Sequence, residues 1–193
     1  MEDEALIARA RRGDLAAASE LLRRHEKAAY SAALRLVGRR TEAEDIAQEA
    51  LVRAYTHLSE LDDDSTFGAW LRRIAVNLSL NALRRRGRIQ FESLDTSPAS
   101  FDAVDQFEPA PEERAINASE VTGMDALFER LPLEQRVAVV LSDVYDYDIV
   151  DVATLSRCTL SAAKMRIVRG RATLRELLRD QAEPKALLFH ETL

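Results

Sequence analysis

Apolar positions in this chain recur at three- and four-residue spacing and no long run alternates apolar with polar residues, so the pattern predicts an all-α protein. Six glycines and five prolines in 193 residues fit that reading. Thr41 and Glu44 have the spacing of a capping box, which predicts a helix starting near Glu42. Its predicted buried stripe is Ala43, Ile46, Ala47, Ala50, Leu51, Ala54, Tyr55 and Leu58. Beside that stripe Asp45, Gln48, Glu49 and Val52 share an exposed line, with Arg53 next. A valine among acids and amides is the odd member. The plainer reading is a solvated face with one stray apolar residue; the sharper reading is a docking surface for another protein.

A second helix is predicted after the acidic turn Asp62, Asp63, Asp64, with Ser65 or Thr66 as its cap. Phe67, Trp70, Leu71, Ile74 and Leu78 form its predicted core face, and the single tryptophan is the expected anchor. Asn77, Asn81, Arg84, Arg85 and Arg88 fall on another face. Arginines near a helix C-terminus also complement the helix dipole. Four of them within five residues exceed that need, and guanidinium forks with amide side chains suit a nucleic-acid strand.

Farther along, Met124, Leu127, Phe128 and Leu131 open a second helical module. Pro132 suits the first turn of a helix running to about Tyr145, with Val137, Val140, Leu141 and Val144 inward. A short helix at 149–156 and a longer one from about Leu160, separated by a tight turn, have helix-turn-helix spacing. Period counting turns Leu160, Ala163, Ile167, Leu174 and Leu178 inward, and Ser161, Ala162, Met165, Arg166 and Arg169 outward. Lys164, Arg171 and Arg175 flank that outer face within reach of phosphates. Arg166 and Arg169 are the candidate guanine readers, and Met165 is placed to touch a thymine methyl. The plainer reading is a basic helix packed on its neighbours.

The net charge of −6 argues against DNA binding until its distribution is considered. Residues 89–120 carry eight acids against Arg114 alone, a net −7 that leaves +1 for the rest of the chain. With Pro98, Pro109 and Pro111 and no sustained stripe, this segment reads as a flexible acidic linker. Cys158 is the only cysteine, which excludes an internal disulfide and a cysteine-cluster metal site; a small buried residue is the expected role. His25, His57 and His190 lie in unrelated contexts, and no metal site, phosphate loop or nucleophile elbow is present. No enzymatic activity, cofactor, metal or small-molecule substrate is expected. An acidic N-terminus without an apolar core and the absence of a long apolar run predict a cytoplasmic protein without membrane insertion.

The residues Ala43-Glu44-Asp45-Ile46-Ala47-Gln48-Glu49, Arg53-Ala54-Tyr55, Phe67-Gly68-Ala69-Trp70-Leu71, Ile74-Ala75, Asn77 and Leu83-Arg84-Arg85-Arg86 resemble bacterial RNA polymerase sigma factors of the extracytoplasmic function group. Leu131-Pro132, Gln135-Arg136, Asp151-Val152-Ala153, Lys164, Arg166, Arg169 and Arg171 extend the resemblance to the second module. It implies a region 2-like domain at 1–88, a linker at 89–120, a region 4-like helix-turn-helix domain at 121–180 and a tail at 181–193. By the same resemblance, Asp45, Gln48, Glu49, Val52 and Arg53 grip the clamp helices of the polymerase largest subunit. Asn77, Asn81, Arg84, Arg85 and Arg88 take the non-template strand of the −10 element. Ser161, Ala162, Lys164, Met165, Arg166, Arg169 and Arg171 take the −35 element. The linker, with Phe91, Phe101 and Phe107, threads the active-site cleft and RNA exit channel. Further implied partners are the flap of the second-largest subunit and an anti-sigma factor.

The chain departs from the family at several positions: Asn81 replaces a common aspartate, Thr159 a proline, Ala162 a threonine, and Tyr145 to Asp148 a glycine-bearing segment. Arg157 stands where a turn glycine is usual; because arginine is strained at a positive φ, the turn is expected to take another shape. Two alternatives stand beside the sigma-factor reading: a stand-alone helix-turn-helix regulator, and a sigma-like interaction protein with weakened DNA binding. The first would explain residues 160–171 but not the acid-amide stripe or the length of the acidic linker.

Overall fold

The structure, a computed structural model, describes residues 2–61, 66–87 and 121–182. Among the described residues it is helical, with no strand. The acidic turn at 62–64, Ser65, Arg88, the linker at 89–120 and the tail from 183 lie outside the described residues. The chain divides into two compact units at residues 88 and 89.

In the first unit, α1 (Asp3–Arg11) ends in a Schellman turn. Gly13 takes φ 88°, Gly13 N–H donates to Ala10 O and Asp14 N–H to Arg9 O. Asp14 then caps α2 (Leu15–Val37), its Oδ1 accepting from Ala17 N–H at 3.1 Å while Arg9 donates twice to Oδ2. The bond from Ala17, and after it those from Arg9, hold the Asp14 carboxyl below the usual range. Helix α2 is the long central element, and its buried stripe of Ala17, Leu21, Ala29, Ala32, Ala33 and Leu36 receives α1, α3 and α4. Alanines on that stripe let neighbouring helices approach closely. Arg11 donates to the carbonyls of Leu58 and Leu61, tying α1 to the 3₁₀ turn Leu58–Glu60.

Helix α3 (Arg40–Thr56) begins before the predicted start. Arg39 is the N-cap and no side chain caps the helix, so the expected Thr41–Glu44 capping box does not form. Thr41 already lies inside the first helical turn and Glu44 just beyond it, so neither is placed to cap; both are exposed. The core face is otherwise as expected except at Tyr55, which is 46% exposed because no described helix covers it at the edge of the stripe. Helix α4 (Phe67–Arg85) is capped by Thr66, whose Oγ1 accepts from Ala69 N–H. Trp70 and Phe67 are buried against each other, ring centroids 5.9 Å apart, and His25 meets Phe67 edge-on at 5.1 Å. Because α4 packs on both α2 and α3, burial spreads to Val76, Leu80 and Leu83, while Ile74 is only half-buried.

The second unit contains α5 (Val121–Glu129), α6 (Leu133–Val139), α7 (Ile149–Leu155) and α8 (Leu160–Ala182). Leu127, Phe128 and Leu131 are buried; Met124, placed with them from the sequence, is 45% exposed near the helix start. Pro132 stands at the N-cap of α6, which widens into a π turn over Val140–Val144 instead of continuing as one helix. Asp148 caps α7 by accepting from Asp151 N–H at 2.7 Å.

The turn after α7 does not take a new shape. Arg157 itself adopts φ 46°, with Cys158 N–H donating to Ala153 O and Arg157 N–H to Thr154 O, so arginine occupies the left-handed position of a Schellman turn. The buried Cys158 behind it closes the turn against the core. Thr159 Oγ1 then accepts from Ala162 N–H at the start of α8.

Helix α8 is about 35 Å long and α6 about 10 Å at 1.5 Å per residue, so α6 covers only part of it; α5 and α7 also pack on α8. Ala163 and Ile167 are buried, whereas Leu160 and Leu178, expected inward, are 52% and 45% exposed. At the crossing, a Cβ on Gly170 would lie 2.5 Å from Val139 Cγ2 and 3.2 Å from Gln135 O. Val139 is buried and has little room to yield. Gly170→Ala therefore gains up to about 1 kcal/mol in helix propensity but loses about 1–3 kcal/mol to overpacking. The expected net result is a less stable second unit, read as an earlier urea midpoint; an unchanged or later midpoint would refute the tight crossing.

Candidate functional site

The outer face of α3 carries Asp45, Gln48, Glu49 and Val52 in exposed positions, Val52 at 64%. Arg53 folds back onto Glu49 and is partly covered. Next to this ridge, α2 and α3 enclose a groove of about 400 Å³, whose walls include Leu22, Arg23 and Glu26 on one side and Gln48, Val52 and Tyr55 on the other. Gln48 Nε2 reaches Glu26 Oε1 at 3.5 Å across it. On α2, Glu20 accepts from Arg24 and Arg23, bonds that together hold its carboxyl below the usual range. The ridge thus offers carboxylates and amides around an apolar spot made by Val52 and Tyr55. Sequence spacing missed Tyr55 and Leu22 because both carry the apolar signature of core.

Along α4, Asn77 and Asn81 are half-buried on the strip that leads to Arg84. Arg84 Nη1 donates to Asn81 Oδ1, so amide and guanidinium are held as one unit. Arg85 is exposed. Arg86, at the C-cap, reaches back to α3 and donates to Glu42 Oε2. Arg88 lies outside the described residues.

On α8, Ser161, Lys164, Met165, Arg169 and Arg171 are exposed, and Ala162 is half-buried. Arg166 is not the outward residue that period counting expects. Its side chain is 15% exposed and its Nη2 lies 3.0 Å from Glu134 Oε2, because the position borders buried Ile167 and the long stem lies along α6. Arg171 is bidentate to Asp143 at 2.6 and 2.9 Å. Burial pushes the Asp143 carboxyl up, but the bonds from Arg171 and Ser142 outweigh it and leave it below the usual range. Arg171 is raised by the same pairing. Val168, 51% exposed one turn beyond Lys164 and Met165, joins this outer face. An isolated exposed apolar residue has no periodic signal, and Val168 escaped the sequence reading for that reason.

A helical unit with an acid-amide ridge and a cationic helix end, followed by a helix-turn-helix unit, defines a transcription factor of the sigma class. Family models agree. "Sigma-70 region 2" matches residues 21–89 and "Sigma-70, region 4" matches residues 123–174. The chain is 35% identical over 167 residues to the ECF RNA polymerase sigma factor SigE of Mycolicibacterium smegmatis, covering 86% of this chain and 63% of that one. It is 32% identical to the RNA polymerase sigma-H factor of Pseudomonas aeruginosa, covering 92% of this chain and 94% of that one. Among solved structures, CnrH in complex with the cytosolic domain of CnrY superposes with a TM-score of 0.51 at 25% identity, over 92% of this chain and 97% of that one.

The chain belongs to the extracytoplasmic function group of the sigma-70 family. It is a regulatory initiation factor that acts bound to RNA polymerase and directs it to promoters. Among the described residues, no helix is long and apolar enough to cross a membrane.

Proposed function

We propose that the α3 ridge of Asp45, Gln48, Glu49, Val52 and Arg53, with the adjoining α2–α3 groove, docks the coiled-coil clamp helices of the polymerase largest subunit. The observation that carries this is the exposed Val52 beside Tyr55, ringed by carboxylates and amides, on the helix next to a cationic helix end. An apolar spot with a polar rim is the anatomy of a protein interface. The strip of Asn77, Asn81, Arg84, Arg85 and Arg88 takes the non-template strand of the −10 element. Half-buried amides, Asn81 held by Arg84, suit unstacked bases, and exposed guanidinium suits phosphate.

The outer face of α8 takes the −35 duplex. Lys164, Met165 and Arg169 are the reading residues; Arg166 and Arg171, each engaged by an α6 or π-turn carboxylate, first position the helix. The domains run 1–88 and 121–180, with 89–120 as the connection that enters the polymerase cleft, and the flap of the second-largest subunit meets the second domain. Catalysis belongs to the polymerase, in the cytoplasm. The family resemblance supports an anti-sigma partner for this chain.

The deciding experiment is run-off transcription on a promoter library with core polymerase and the full chain. Promoter-specific transcripts that require the chain are the expected result. Specific binding of duplex DNA by the chain without polymerase, and no effect on initiation, would favour a stand-alone regulator.

A further inference from the structure

Glu42 is buried in the first turn of α3, with only 7% of its side chain exposed. One carboxylate oxygen accepts from Arg86 of the α4 cap, 44 residues away in sequence. The other oxygen is buried and has no partner among the described residues. A buried carboxylate with half of its acceptors unmatched stabilises a fold no better than an apolar side chain of the same size. Stability alone does not account for the pair.

Its effect at the other end is on charge. Of the three consecutive arginines that close α4, Arg84 is engaged by Asn81, Arg85 is exposed, and Arg86, though 42% exposed, is paired with Glu42. The Glu42 carboxylate therefore offsets one of the positive charges that the sequence counts at this helix end. Affinity for a single strand follows the number of phosphates neutralised, each adding about 0.7 to the salt slope.

We propose that Glu42 withholds Arg86 from the non-template strand and so sets how many phosphates this domain neutralises. The inference rests on the reading of α4 as the strand-binding face. Glu42 is a positioning residue acting through Arg86, and it lies one turn before Asp45 on the helix of the docking ridge. The lock thus joins that helix to the strand face.

The test uses the full chain bound to core polymerase and a forked promoter DNA with a single-stranded non-template overhang, with affinity measured across a salt series and melting curves as the folding control. Glu42→Gln keeps the shape and removes the charge. The expected slope is steeper by about 0.7, with binding about fivefold tighter near ~0.1 M salt. Arg86→Gln alone leaves the slope unchanged, and Glu42→Gln with Arg86→Gln returns to the Arg86→Gln value. An unchanged slope in folded Glu42→Gln, or a gain that persists in the double variant, overturns the proposal. If Glu42→Gln fails to fold, Arg86→Gln decides: a slope shallower by about 0.7 would place Arg86 on a phosphate already and overturn it. Should the wild-type complex bind the fork no better than core polymerase alone, the strand-face reading itself fails and the inference falls with it.

Discussion

Replacing Asp45 and Gln48 together by alanine is expected to weaken binding to core RNA polymerase by about 30- to 150-fold, the equivalent of about 2–3 kcal/mol. Both side chains are exposed, and the contact of Gln48 with Glu26 is a long one at 3.5 Å, so neither holds the fold together. The melting transition should therefore shift by no more than about 0.5 kcal/mol. Val52→Asp should have a similar effect by a different route, since it puts an unpaired charge at the centre of the apolar spot. Titration of labelled core polymerase measures both binding losses, and thermal melting measures the stability shift. Full-strength binding by the double variant would remove the ridge from the interface, and binding lost only in step with unfolding would make it structural.

Arg84→Ala with Arg85→Ala is expected to reduce promoter opening by about 100-fold while polymerase binding stays within about twofold of wild type. Two charge-assisted contacts of about 1.5 kcal/mol each account for that size. The loss has two components. Arg85 is exposed and available to a phosphate, whereas Arg84 also holds the Asn81 amide, so its removal releases a candidate base-reading group. Permanganate reactivity of unpaired thymines at the −10 element reads opening directly. An equal loss of polymerase binding would mean that the helix end belongs to the docking surface and not to the strand.

Much of the helical layout was legible from spacing because it is local. The start of α4 after its Thr66 cap, the start of α7 at Ile149 and the onset of α8 at Leu160 each follow from a few neighbouring residues. The exposure of Asp45, Gln48, Glu49 and Val52 was legible for the same reason: the helix period puts them off the buried stripe. Where a local rule met a competing one, spacing misled. Thr41 and Glu44 fit a capping box, but α3 begins early enough to place both inside it. Arg157 lacks the glycine that a left-handed turn prefers, yet two backbone hydrogen bonds and the buried Cys158 hold it there, offsetting a strain of about 1–2 kcal/mol. Residues from 88 to 120 are outside the described structure, so the linker and Arg88 stand on sequence alone.

Membership of the sigma family, the helical class, and the positions of the acid-amide ridge and the two cationic helices were all determined by residue order, because each depends on short-range periodicity. Which arginines face a nucleic acid was not. Arg86 is taken by Glu42, Arg166 by Glu134 and Arg171 by Asp143, and each carboxylate lies on a different element from its arginine. The exposure of Tyr55, Leu160 and Leu178 likewise depends on which positions neighbouring helices cover. Pairing and coverage between elements are set by how helices cross in space, and no spacing along one helix contains that information.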